Sequence, residues 1–208
     1  MLLDLTLADF AAQTAAKEPT PGGGAVAAYV GTLGAALGTM AARYSQGRKG
    51  LEEHEEALAR EIDALEGLRG TLTELVDADA KAYKLVTSAY KLPKGTDEEK
   101  AARRDAIQDA LRKALQPPLE TCRAAVAGLE VVASLREHSN PNLISDVAVA
   151  AYALGATYRS AWINVLINVG GVKDAPFKAE VMGEGERLEA RCRELETATG
   201  EAIVASLT

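Results

Sequence analysis

Between Leu51 and Tyr90, apolar residues return every three or four positions. Leu58, Ile62, Leu65, Leu72, Val76, Tyr83, Val86 and Tyr90 share one stripe, and Glu, Lys and Arg fill the other faces. That period predicts one long helix with a single face turned to a core. Ahead of it, Thr6 and Asp9 form a T-x-x-D start for a short helix that ends before Glu18-Pro19. Lys91 to Gly95 reads as a loop, and Thr96 with Glu99 is a capping box opening a helix to about Glu137. A kink or restart is expected inside it at Pro117-Pro118, where proline removes a donor and crowds the preceding turn. After the polar loop HSNPN a charge-poor helix runs from about Ser145 to Asn168 and is broken by Gly170-Gly171. A last amphipathic helix is expected from about Pro176 to Leu207. No segment alternates with period two beside turn residues, and no unit repeats. The pattern predicts an all-α bundle of six or seven helices in one domain, 1–208.

The stretch TPGGGAVAAYVGTLGAALGTMAARY, Thr20 to Tyr44, fits this scheme least simply. It lacks the lysine of a phosphate-binding G-x-x-x-x-G-K-[ST] loop, and no strand precedes it. The 24 residues from Pro19 to Ala42 are uncharged, which is long enough to span a bilayer. Six of them are Gly and seven Ala, a composition poorly suited to insertion. Val26, Tyr29 or Val30, Leu33, Leu37 and Met40 form a large apolar stripe; Gly24, Ala28, Gly31, Ala35, Gly38 and Ala42 form a small one. Each helical glycine costs about 1 kcal/mol relative to alanine, so this many calls for a packing reason. The expectation is a Gly/Ala-rich central helix, buried in protein and surrounded on all sides.

Composition narrows the function classes. Only 9 of 208 residues are aromatic and the net charge is -7. Without a clustered basic surface, a nucleic-acid partner is not expected, and neither is a membrane. Cys122 and Cys192 are far apart, each inside a helical pattern, and read as buried thiols of a reducing compartment. The opening MLLDLTLADF has no basic region and is broken by Asp4 and Asp9, so it does not read as a signal peptide. A cytoplasmic location is the expectation.

Candidate chemistry lies where polar residues interrupt apolar patterns. Asp79 sits on the stripe Leu72, Val76, Asp79, Tyr83, Val86 and must be paired, protonated or useful; Asp77 lies off it and is expected to be solvated. Ser145 and Asp146 stand at the start of the charge-poor helix, where N-capping is the plain reading. Thr157, Ser160, Asn164 and Asn168 form a polar stripe of amides and hydroxyls, suggesting a semi-buried hydrogen-bonding surface. His54 is expected in solvent and His138 in a surface loop. Two distant histidines and two distant cysteines make no metal site. Lys91, Lys94, Lys100, Arg103 and Arg104 read as a solvated turn that could also meet an acidic substrate tail.

Taken together, P-T-P-G-G-G-A-V-A-A, D-A-K-A-Y-x(6)-Y-K-L-P-K-G-T-D-E-E-K, S-N-P-N-L-I-S-D-V-A-V-A and N-V-L-I-N resemble the cyclodeaminase/cyclohydrolase family of folate enzymes, in order and over nearly the whole chain. That family includes the cyclodeaminase domain of formiminotransferase-cyclodeaminase and stand-alone methenyltetrahydrofolate cyclohydrolases. The resemblance implies an all-helical homodimer acting on a tetrahydrofolate derivative, with no metal and no tightly bound cofactor. It places Asp79 and Asp146 as acid/base candidates, either of which could hold the pterin instead. Pro21, Gly22, Gly23, Gly24, Asn140, Asn142, Ser145, Asn164 and Asn168 fall on its motif positions as substrate-binding candidates, and Tyr83 could pack on the ring. The lack of a formiminotransferase segment tilts the expectation toward hydrolysis of 5,10-methenyltetrahydrofolate to 10-formyltetrahydrofolate. The alternative is cyclodeamination of formiminotetrahydrofolate, and a non-catalytic folate-binding or dimerisation protein is the rival from another class.

Overall fold

The computed structural model describes residues 1–207. Seven α-helices follow in order among them: α1 Leu7–Ala15, α2 Gly23–Ser45, α3 Glu55–Tyr90, α4 Asp97–Leu135, α5 Ile144–Gly171, α6 Ala175–Glu196 and α7 Ala202–Leu207. The Thr96 hydroxyl accepts from Glu99 N while the Glu99 side chain bonds back, so the capping box that begins α4 is formed. The last helix does not run unbroken: wider turns at Thr197–Glu201 separate α6 from α7.

The four long helices α2 to α5 make the bundle, and α6 lies across α4 and α5. Leu58 and Leu65 of α3, Leu115, Leu129 and Val132 of α4, and Leu154 and Tyr158 of α5 are fully buried in its core. Both cysteines are buried thiols, and burial pushes Cys122 up to about 12 and Cys192 to about 11. Neither is a nucleophile at neutral pH.

α2 lies between α3 and α5, antiparallel to both, with α4 beneath. Its small residues explain how. A Cβ on Gly31 would meet Thr157 at 2.8 Å and Leu72 at 3.1 Å, and one on Gly38 would meet Val132 at 3.1 Å and Leu65 at 3.2 Å. The expectation that α2 is enclosed on all sides is wrong. Its Gly and Ala positions face inward, while Leu33 (52% exposed), Tyr44 and, in part, Val26, Val30, Leu37 and Met40 face out. The small side chains set an interhelix distance that leaves no inward room for large ones. By length and composition α2 could cross a membrane, yet 56% of its apolar window is buried against the other helices.

Pro117 and Pro118 are buried inside a helix that continues through them, so no restart occurs. The missing N–H of Pro118 would have bonded the Ala114 carbonyl, four residues back. Asn168 of α5 takes its place, donating from Nδ2 to that carbonyl at 3.3 Å.

Three further expectations are overturned. Asp77 is buried because the N-terminal segment folds over it, with Leu2 N donating to Oδ1 at 2.8 Å and Phe10 set 5.3 Å from the Tyr29 ring. His138 is no surface residue: it is buried and bonds the buried Glu61 at 2.9 Å, which also accepts from Ser134 at 2.7 Å. His54, half-buried rather than solvated, stacks on His138 with centroids 4.8 Å apart.

Candidate active site

At the N-terminal end of α2, three elements converge on one carboxylate. The chain enters through Pro19 and a cis Thr20–Pro21 bond, and Gly22 caps the helix in extended conformation. Gly24 then lies so close to α3 that a Cβ there would come within 2.1 Å of Asp79 Oδ1. Only a residue without a side chain admits the carboxylate. Asp79 Oδ2 accepts from Ala25 N at 3.1 Å, using a first-turn donor that the helix itself cannot pair. Burial raises the Asp79 pKa above the usual carboxylate range, and the Ala25 bond offsets only part of this.

The carboxylate opens into a cleft of about 370 Å³ whose walls come from α2, α3, α4 and α5. Gly22, Gly23 and Gly24 form one side, and Tyr83 with Val86 continues the Asp79 stripe along α3. Opposite stand Asn164 and Asn168, one turn apart on α5, with Ile167 between them. Asn164 Nδ2 donates to Ser160 O at 2.9 Å, and Asn168 Nδ2 donates to Asn164 O at 3.0 Å as well as to Ala114. Asn168 thus has both amide hydrogens committed to backbone and Asn164 one, which leaves both side-chain carbonyls free to accept. Of the rest of the polar stripe, Thr157 is buried on Ala153 O and Ser160 is exposed.

Not every candidate gathers here. Pro21 is itself buried and does not line the cleft, whereas Pro19, Thr20, Ala82 and Ala114 do. The first two were legible only as neighbours of the glycines, the last two not at all. Asn140, Asn142, Ser145 and Asp146 lie at the opposite end of the bundle. From Asp146 to Asn164 α5 rises roughly 27 Å. Asn140 does structural work there: its N donates to Ser45 Oγ at 2.8 Å, and its Oδ1 accepts from Asn142 N at 3.0 Å to cap the short turn Pro141–Leu143. Asn142 and Ser145 are exposed, and Asp146 is half-buried in the first turn of α5. Within one protomer, then, Asp79 and Asp146 cannot act on the same atom. No group of three or more His, Cys, Asp or Glu among the described residues is arranged to hold a metal.

The sequence pattern of a family described as formiminotransferase-cyclodeaminase matches residues 6–187. The chain belongs to this family. Among its formiminotransferase-cyclodeaminase relatives, the methenyltetrahydrofolate cyclohydrolase of Methylorubrum extorquens is 40% identical over 95% of each chain. The rat formimidoyltransferase-cyclodeaminase is 38% identical over 85% of this chain, which spans only 33% of that longer protein. The crystal structure of formiminotetrahydrofolate cyclodeaminase from Thermotoga maritima superposes with a TM-score of 0.90 at 30% identity, covering 100% of both chains. This is therefore a folate cyclohydrolase/cyclodeaminase family member with an all-α fold.

Proposed function

We propose that the cleft around Asp79 binds a tetrahydrofolate one-carbon derivative and that the chain is a formiminotetrahydrofolate cyclodeaminase. The observation that carries the site assignment is the Asp79 carboxylate, half-buried, with a raised pKa, between a glycine-walled helix start and two asparagine acceptors. The choice of reaction leans on the 0.90 superposition with a cyclodeaminase over the full length of both chains.

In this reading Asp79 moves one proton between two nitrogens. As N10 bonds to the formimino carbon on N5, its proton passes to the carboxylate. The acid then returns it to the exocyclic nitrogen of the tetrahedral carbon. With a second proton from solvent, that nitrogen leaves as ammonia and the N5–C–N10 methenyl bridge remains. A carboxyl group whose pKa is raised toward the working pH serves better as both acceptor and donor than one held low. The side-chain carbonyls of Asn164 and Asn168 accept from the pterin's N–H groups, and Tyr83 packs on the ring. Along α3, Tyr90 lies roughly 16 Å beyond Asp79. There Arg103 bonds the Tyr90 carbonyl at 3.0 Å and sits over its ring, so the basic cluster can meet the substrate's glutamate tail.

The second reading is hydrolysis of 5,10-methenyltetrahydrofolate, favoured by the 40% identity to a cyclohydrolase of matching length. Water would then give its proton to Asp79 and the departing N5 would receive it. One assay separates the three readings. With formiminotetrahydrofolate a cyclodeaminase releases ammonia and takes up protons; with methenyltetrahydrofolate a cyclohydrolase releases one. Acceleration of neither sinks the enzymatic reading and favours a binding protein.

A further inference from the structure

We infer that Asp77 is a positioning residue: it holds the N-terminal strap, residues 2–18, against α3, and the strap in turn fixes the Pro19–Thr20 wall of the cleft and so sets affinity for the ligand. That the ligand is a folate rests on the reading above; the hold of Asp77 on the strap does not.

A carboxylate is an expensive way to cover this part of α3. Asp77 is 8% exposed; its Oδ1 accepts from Leu2 N at 2.8 Å, while its Oδ2 is buried and accepts from no group among the described residues. A buried carboxylate with one donor costs the fold more than an apolar side chain in the same place. What it supplies instead is a fixed point for the backbone of residue 2, 75 positions away in sequence.

The strap has little else to fix its place. α1 has 9 residues and buries none of its side chains, and a helix shorter than roughly 12–15 residues does not hold its form alone in water. Its cap is local, Thr6 Oγ1 accepting from Asp9 N at 3.1 Å. Leu2 and Leu3 lie half-buried against Leu72, Leu75 and Val76, and Phe10 sits 5.3 Å from the Tyr29 ring. Between these contacts a cavity of about 50 Å³ remains, bounded by Leu5, Phe10, Tyr29 and Val76. A loosely filled apolar seat gives little directional hold, since a gap forfeits the close contacts that fix one arrangement over another. The Leu2 bond to Asp77 is the one hydrogen bond that ties residues 2–18 to the rest of the described chain.

Both anchors refer the strap to the helices that build the cleft. Asp77 lies two positions before Asp79 on α3, and Tyr29 five after Gly24 on α2. α1 ends at Ala15, and only residues 16–18, all exposed, separate it from Pro19 and Thr20 on the cleft wall. A strap that comes off α3 therefore takes the wall with it. Pro19 and Thr20 carry no group that titrates near neutral pH, so they can hold a ligand but not move its protons. Their loss falls on binding, alike in the ground state and the transition state.

The acceptor can be removed or kept. D77A removes it, whereas D77N keeps a side-chain carbonyl that can face Leu2 N. With whichever of formiminotetrahydrofolate and 5,10-methenyltetrahydrofolate the wild-type chain turns over, D77A is expected to raise KM about tenfold with kcat within about twofold, and D77N to stay within about twofold in both. F10A loosens the strap from its other anchor without touching the bundle core, and should raise KM in the same way. The D77A/F10A double variant should rise little beyond the worse single, because both act through one strap. Hydrogen exchange follows the strap without ligand: the α1 amides should exchange about tenfold faster in D77A and F10A and at the wild-type rate in D77N. Unchanged KM in D77A, a D77N as impaired as D77A, or unchanged exchange in both loosened variants overturns the proposal. If D77A does not fold, the KM and exchange of F10A decide it. If the wild-type chain turns over neither folate, the functional reading fails, while exchange in D77A against D77N still decides whether Asp77 holds the strap.

Discussion

Asp79 combines two demands that pull against each other. Its folded-state pKa is raised mainly by burial, so the native protein holds that proton more tightly than the unfolded chain does. The favourable contribution is complete below the ordinary aspartate pKa and is lost as pH rises through the raised folded value. At neutral pH the ionised group is a net burden on the fold. D79N is therefore expected to raise the Tm at pH 7, with the gain shrinking toward pH 3, while turnover falls about 100-fold. Thermal unfolding across that pH range checks the first part; a Tm that falls at pH 7 would show that the Ala25 bond, not burial, dominates. His138 stands in contrast as a structural residue. With Glu61 and Ser134 it ties the loop before α5 to α3 and α4. H138A leaves the Glu61 carboxylate buried with Ser134 alone, a loss expected at about 3 kcal/mol in denaturant unfolding. A change below about 1 kcal/mol would mean that water reaches Glu61. Neither the histidine nor Asp77 was legible in sequence, because their partners lie 77 and 75 positions away and periodicity reports only a residue's own helix.

At the scale of the element, the period of three to four places α3, α4 and α5 nearly where they form, since each buries one face against the same core. What periodicity missed is how the elements repair one another. A proline pair reads as a break, yet Asn168 reaches across from α5 and takes the carbonyl that Pro118 leaves unpaired. The same bond aims Asn168 into the cleft. P118A would restore an N–H that competes for Ala114 O and release the amide. Such a variant is expected to gain up to about 1 kcal/mol in stability and to bind its ligand about tenfold more weakly, the loss of one well-placed hydrogen bond. Isothermal titration beside denaturant melts reads both; unchanged affinity would reduce Asn168 to a helix repair. The cleft around Asp79 was legible because a carboxylate on an apolar stripe breaks a rule. Asn140, Asn142, Ser145 and Asp146 were legible as polar residue types but not as a location away from the cleft, because linear order says nothing about which end of a bundle a loop caps.

The whole molecule is a bundle whose most apolar helix shows its large side chains to the outside, which single-chain reasoning takes either for a core helix or for a membrane span. Its inner edge has a further consequence. Glycines recur at seven-residue intervals, Gly24, Gly31 and Gly38, and the space for an added methyl group widens along them: the nearest atom lies at 2.1, 2.8 and 3.1 Å. α2 is thus seated like a tapered key, tightest at the Asp79 end. At Gly24 the obstacle is a carboxylate that can swing aside, whereas at Gly38 it is packed Val132 and Leu65. G24A should therefore cost turnover with a change in Tm of only about 2 °C, and G38A should cost stability by about 1–3 kcal/mol with turnover little changed. Kinetics and thermal melts on the pair would reveal the taper as a gradient running from chemistry at one end of a single helix to packing at the other.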